Sequence, residues 1–252
     1  MTSTGEGKAW AFALSYPAHH EHLQSTWIPS RPTLSSKSAT TSRLGAAFVR
    51  GRAPECLGDA ARESASDAVT FRTGLAHGLK MHKFKRNADL PRVRRVLSML
   101  AGLAPQTLLD VGSGRGAFLW PLLDTFPGLE VTAIDKEERR ATDLAAVASG
   151  GVARLHAAQM DAAALGFEAD AFDGVTMLEV LEHMPDPARA AREALRVARR
   201  FVLATVPSKE DGNPEHIHLF EPASLGKLFE DAGARRVTIT HVLNHIVALV
   251  LL

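Results

Sequence analysis

Residues 107–118, Thr-Leu-Leu-Asp-Val-Gly-Ser-Gly-Arg-Gly-Ala-Phe, constrain the fold of this chain more than any other segment. An apolar run carries an acid, Asp110, and then meets three alternating glycines, Gly112, Gly114 and Gly116, before a helical pattern begins. A strand that turns abruptly into a helix leaves unpaired N–H groups and a positive dipole end at the turn, and glycine lets a ligand approach that backbone. The segment predicts the first strand–turn–helix unit of a parallel α/β sheet, with a nucleotide-like ligand seated at the turn.

The text beyond residue 105 repeats that alternation. Apolar runs at 107–111, 130–134, 152–157, 174–178 and 200–206 read as buried parallel strands, with helical patterns at 116–125, 137–148 and 187–198. Asp186 followed by Pro187 is a helix start, an N-cap acid and a proline in the first turn. Pro222 opens a further helix through Leu225, Leu228 and Phe229, ended near Gly233. Two β-like runs, 235–241 and 245–252, follow with Asn244 near the turn and no helix between them, so they form a hairpin that adds an antiparallel strand. The expectation is an α/β fold, a Rossmann-like sheet with helices on both faces.

A chain of 252 residues with 46% apolar content can bury one full α/β core and still carry an appendage. Residues 1–70 differ from the rest. The stretch 30–42 is rich in Ser and Thr and has little to bury, which predicts a disordered or loosely attached extension. Residues 71–104 read as a basic helical cap segment and 105–252 as the ligand-binding domain. Within 80–95, seven cations (Lys80, Lys83, Lys85, Arg86, Arg92, Arg94, Arg95) face one acid, Asp89, a local charge of +6. Charge runs of this kind are commonly a solvated helix face; the sharper reading is a positive lip at the ligand cleft, suited to phosphate, carboxylate or RNA.

The formal net charge of the whole chain is only +1, so no global field selects nucleic acid or a membrane surface. The single cysteine, Cys56, excludes an intrachain disulfide and a cysteine-rich zinc site. The apolar piece at 10–14 is shorter than a signal-peptide core, and the run 246–252 is far below the ~20 residues needed to cross a bilayer. A soluble, cytoplasmic protein is expected.

The glycine pattern alone leaves the ligand open. Gly112-x-Gly114-x-x-Ala117 also satisfies a dinucleotide fingerprint, and Asp135, 25 residues after Asp110, can meet ribose hydroxyls of NAD or of S-adenosylmethionine. Three features favour the second. Asp110 lies at the carboxyl end of its strand, placed to meet an ammonium group; Asp161 follows the third strand, placed to accept from an adenine amino group; and the terminal hairpin has no counterpart in a simple nucleotide-binding half-fold.

On these residues the chain from about 90 to 252 resembles the class I S-adenosylmethionine-dependent methyltransferases. Asp110–Gly116 resembles the family's first motif, Asp135 its ribose-binding acid and Asp161, in Met160-Asp161, its adenine-side acid. Phe172-Asp173-Gly174-Val175, then Glu179 to Pro187, resembles the fourth-strand region. The resemblance implies a seven-stranded sheet whose last strand is antiparallel, S-adenosylmethionine held by Asp110, Gly112, Gly114, Gly116, Asp135 and Asp161, and methyl transfer to a small acidic or aromatic metabolite through oxygen.

The acceptor side is written around Glu179, Glu182 and His183 after the fourth strand, with Pro207 ending the fifth and His216 and His218 in the loop that follows. Glu182, His183 and His218 are the candidates to act on the acceptor. Glu179, Glu182, His183 and His218 offer mixed oxygen and nitrogen ligands that suit Mg²⁺, Mn²⁺ or Zn²⁺. The stretch resembles ubiquinone-pathway O-methyltransferases, and His218-Leu219-Phe220-Glu221 resembles small-RNA terminal 2′-O-methyltransferases, although Pro222 stands where those carry an aromatic residue. The alternatives are thus an RNA-terminal 2′-O-methyltransferase with a divalent metal, a non-catalytic cofactor-binding domain, and an NAD-dependent enzyme. Trp120 is expected in the core, and His241 and His245 in the hairpin.

Overall fold

A computed structural model describes residues 34–58, 65–84 and 89–252. Seven strands form one sheet: β1 (Thr107–Val111), β2 (Glu130–Asp135), β3 (Leu155–Gln159), β4 (Phe172–Leu178), β5 (Ala198–Pro207), β6 (Arg236–Val242) and β7 (His245–Leu251). Their order is β3-β2-β1-β4-β5-β7-β6. β1 to β5 pair in parallel, whereas β7 runs antiparallel to both β5 and β6, so β7 alone opposes the rest. The chain leaves β1 toward β2 on one side and reaches β4 on the other. That reversal opens a crevice at the carboxyl ends of β1 and β4, the place where open α/β sheets bind ligands.

The central strands β1, β4, β5 and β7 are largely buried on both faces, and their period of two divides the core. Leu108, Phe201, Leu203 and Val247 face one layer, while Leu109, Val111, Val202, Ala204, Val206, Ile246, Ala248 and Val250 face the other. The first layer holds α1 (Leu34–Arg52), α2 (Asp67–Ala76), α3 (Pro91–Leu103), α4 (Leu119–Thr125) and α5 (Glu138–Ser149); the second holds α6 (Pro187–Val197) and α7 (Pro222–Asp231). Asp186 caps α6 through its side chain, accepting from the Arg189 N–H, and Pro187 follows in the first turn. Leu100, Val96 and Val93 of α3 are fully buried at helical spacing.

The expectation of a loose extension over 1–70 is corrected for the described part of that segment. Leu44, Ala46, Ala47, Phe48 and Val49 of α1 are buried, and Phe48 reaches the ring of Phe84 at 5.4 Å between centroids. α1 lies so close to α5 that a Cβ on Gly150 would stand 1.7 Å from the Ala47 carbonyl oxygen. Small residues on both helices make that approach possible, and the apolar face of α1 is spent on it. Residues 1–33 lie outside the described residues, as do Lys85 and Arg86 of the basic run. No helix among the described residues is long and apolar enough to cross a membrane.

Candidate functional site

The turn after β1 is built on the end of β2. The Gly112 and Ser113 N–H groups both donate to the Ile134 carbonyl, at 2.9 and 3.1 Å. Gly112 has φ +68°, and a Cβ there would stand 2.6 Å from Val180 Cγ2. Gly116 has φ +79°, and its Cβ would stand 2.0 Å from the indole of Trp120. Trp120 is buried, and its Nε1 donates to the carbonyls of Lys83 and Arg115, both at 3.0 Å. The indole therefore braces the turn from the core side.

Asp135 ties the turn to the next helix. One carboxylate oxygen accepts the Gly114 N–H at 2.8 Å and the other accepts the Glu137 N–H at 2.9 Å. Asp110 is buried below the turn. Its two oxygens accept from the Thr176 and Ser113 hydroxyls, each at 2.7 Å. Burial nevertheless pushes its carboxyl up to about 6; the two hydroxyls pull the other way, and the Asp135 charge adds to the rise. A carboxylate buried in this way gains from an arriving cation.

A cavity of about 450 Å³ opens at the switch point, lined by Asp110, Gly112, Asp135, Asp161, Glu179 and His183 among others. Its size is that of a small-ligand pocket. Asp161 begins the turn after β3 and accepts the Ala163 N–H at 2.8 Å. Five of the six residues expected to hold a cofactor, Asp110, Gly112, Gly114, Asp135 and Asp161, line the cavity. Gly116 underlies the turn against Trp120.

The acceptor-side residues divide. Glu179 sits at the end of β4 with φ +58°, and its backbone N–H donates to the Thr205 carbonyl at 2.9 Å. Its carboxylate accepts from the Thr205 hydroxyl at 2.8 Å and lies 3.1 Å from His245 Nε2, with Arg92 Nε at 3.8 Å. Glu182 is 0% exposed, and neither of its carboxylate oxygens has a hydrogen-bond partner. Burial, aided by the neighbouring Glu179 charge, pushes its carboxyl up to about 8. His183 Nδ1 donates to the Glu215 carbonyl at 2.9 Å, and its ring lies 4.7 Å from that of His216. His218 Nε2 donates to the Met184 carbonyl at 2.9 Å.

One ligand atom each from Glu182, His183 and His216 lie within 4.8 Å of one another. Of the four residues expected around a metal, the structure brings Glu182 and His183 together and turns Glu179 and His218 to other partners. His216, three residues after the loop's Asn213, takes the third place. Arg92 and His245 join the site through Glu179. Nothing local in the sequence marks His245, because its reach depends on the pairing of Pro207 with His245 across β5 and β7.

A family model described as a methyltransferase domain matches residues 109–201, the span from β1 through the start of β5. That span is a methyltransferase domain. A ubiquinone biosynthesis O-methyltransferase of Alkalilimnicola ehrlichii is 36% identical over 118 residues, 43% of this chain and 43% of that protein. A protein of the same name from Chromobacterium violaceum is 28% identical over 156 residues, 53% of this chain and 66% of that protein. The match thus spans less than two thirds of the length of either relative. Among solved structures, a SAM dependent methyltransferase from Aquifex aeolicus aligns at a TM-score of 0.56 with 23% identity, covering 66% of this chain and 92% of that one. That likeness is one of fold: the chain has the seven-stranded sheet with a single reversed strand read from the sequence.

Proposed function

We propose that the protein transfers the methyl group of S-adenosylmethionine to an oxygen of a small acidic or aromatic acceptor. The observation that carries this reading is the cavity at the glycine turn, with buried Asp110 at one side and Asp135 and Asp161 at the other. Asp110 would take the ammonium group, since a carboxylate already strained by burial is relieved by a cation. Asp135 keeps a lone pair on each oxygen after accepting two backbone N–H groups, and these suit ribose hydroxyls. Asp161 stands at the adenine side. The names of the two relatives support oxygen as the acceptor atom.

When bound, the sulfonium supplies an already activated methyl group. The chain's own contribution is then to hold the acceptor in line and to take a proton from it. The Glu215 carbonyl can only accept, so it fixes the His183 proton on Nδ1 and leaves Nε2 with a lone pair. His183 lines the cavity and is the base in this reading. Glu179, held by Thr205 and His245, keeps Arg92 at the cavity wall, where a guanidinium favours an acidic acceptor.

The test is methyl transfer from radiolabelled S-adenosylmethionine to a panel of catechol, phenol and hydroxybenzoate acceptors. Transfer that depends on His183 and favours carboxylated members supports the reading; no transfer to any oxygen acceptor while cofactor binds removes it. A second reading, methylation of a terminal RNA ribose hydroxyl with a divalent metal, is favoured by the convergence of Glu182, His183 and His216. It requires activity on short RNA that falls steeply with salt, because each phosphate contact releases counterions.

A further inference from the structure

We propose that Glu182, His183 and His216 bind one divalent cation, and that this cation pins the 208–221 loop against the cofactor cavity. The proposal deepens the methyl-transfer reading, and rests on it only in calling the neighbouring cavity the cofactor site; a bound cation would take the His183 Nε2 lone pair and stand in for that base by acidifying the acceptor hydroxyl.

Glu182 is fully buried with two unpartnered oxygens, an arrangement that proteins avoid because a buried acceptor without a donor loses its hydration for nothing. Its neighbours do not relieve it. His183 spends its Nδ1 proton on the Glu215 carbonyl, and His216 Nδ1 lies 3.0 Å from the Asp211 carboxylate, which can only accept. Nδ1 of each ring is thus turned to a partner, and Nε2 is the atom left for a ligand. One ligand atom from each residue lies within 4.8 Å of the others, and a cation satisfies the ionised Glu182 and both rings at once.

The surroundings of the two rings make the same point independently. Metal-ligating histidines donate their second N–H to a carbonyl or a carboxylate, which fixes the tautomer and orients the ring. The Glu215 carbonyl does this for His183, and the Asp211 carboxylate stands 3.0 Å from His216 Nδ1. Ligands about 2.1 Å from a tetrahedral ion lie about 3.4 Å apart, so small side-chain rotations close the present cluster onto a metal. Two imidazoles and one carboxylate suit Zn²⁺ or Mn²⁺ better than Mg²⁺, and leave a position for an acceptor oxygen.

The ligand set is specific to this arrangement. Glu179 and His218 belong to the same stretch of sequence, but Glu179 is held by Thr205 and His245, and His218 by the Met184 carbonyl. His216 instead comes from a segment with neither helix nor strand. Two backbone N–H groups of that segment, Ile217 and His218, donate to the Glu182 carbonyl at 2.9 and 3.2 Å. Glu215, which orients His183, lines the cavity itself. A cation bridging Glu182 and His216 would therefore add a second clasp to the loop and fix one wall of the cavity.

The experiment is calorimetric titration of the full chain, saturated with S-adenosylhomocysteine, with ZnCl₂ and separately with MnCl₂. The wild type is expected to bind one ion. Affinity should fall at least tenfold in Glu182→Gln and in His216→Ala, and stay within twofold in His218→Ala. Proteolytic cleavage within 208–221 should slow on loading in the wild type and in His218→Ala alone. Titration of S-adenosylhomocysteine into each variant reports folding. Absence of saturable metal binding in a protein that binds S-adenosylhomocysteine overturns this inference and leaves the methyl-transfer reading in place. So does metal binding that survives His216→Ala or is lost in His218→Ala. Failure to bind S-adenosylhomocysteine at all would instead overturn the reading on which the cavity's identity rests.

Discussion

Lowering the pH from 8 to 5 is expected to weaken S-adenosylhomocysteine binding roughly tenfold, and Asp110 is the cause. Burial holds its folded-state carboxyl at about 6, above the ordinary 3.8. An ammonium group is stabilised only by the ionised form, so below pH 6 each binding event must expel a proton. One pH unit below the midpoint costs about 1.4 kcal/mol, a factor of about ten, while above pH 7 the affinity is flat. Calorimetry in buffers of different ionisation heat measures the proton release directly: close to one proton at pH 5 and close to none at pH 8. Asp110→Asn should bind more weakly at pH 8 and lose the slope. A wild-type affinity that is constant from pH 5 to 8, or a slope that persists in Asp110→Asn, would refute the pairing of this carboxylate with the ammonium.

The same burial acts on the ligand-free protein. With the folded value raised from 3.8 to about 6, this group's contribution to stability is complete below pH 3.8 and is lost as the pH rises to 6, about 3 kcal/mol in all; Asp110→Asn should therefore recover part of that at pH 8 in denaturant melts. Phe48→Ala, on a helix expected from composition to be loosely attached, should cost ~3–5 kcal/mol because a buried aromatic is replaced by a cavity; a loss under ~1 kcal/mol would restore the loose extension. Gly116→Ala places a Cβ into the Trp120 indole at a left-handed φ, so it should lower the melting temperature and quench cofactor binding together. Asp135→Ala should weaken cofactor binding by ~1–3 kcal/mol through lost charge-assisted hydrogen bonds, measured by the same titration.

The sheet was legible because its signals are local. Leu, Val, Ala, Met and Phe make up most of each central strand, so apolar runs mark the strands without any knowledge of their neighbours. The reversed strand follows from two β-like runs joined by a short turn. α1 was not legible, since Ser, Thr and Lys fill its first half and Gly45 and Gly51 weaken its propensity. What holds it is distant: the small residues of α5, more than 90 residues later, which let two backbones approach. The site divides along the same line. Asp110, Asp135 and the glycines lie on strand ends whose positions the pattern fixes. His216 against His218 is a matter of loop conformation, settled by two N–H groups on the Glu182 carbonyl, and no spacing rule contains it.

The most direct measurement is isothermal titration of the full chain with S-adenosylmethionine and, in parallel, with NAD. The account predicts one S-adenosylmethionine site per chain, weakened by Asp135→Ala and competed by S-adenosylhomocysteine, with no heat from NAD. Saturable NAD binding with S-adenosylmethionine silent, or S-adenosylmethionine binding indifferent to Asp135, would contradict it.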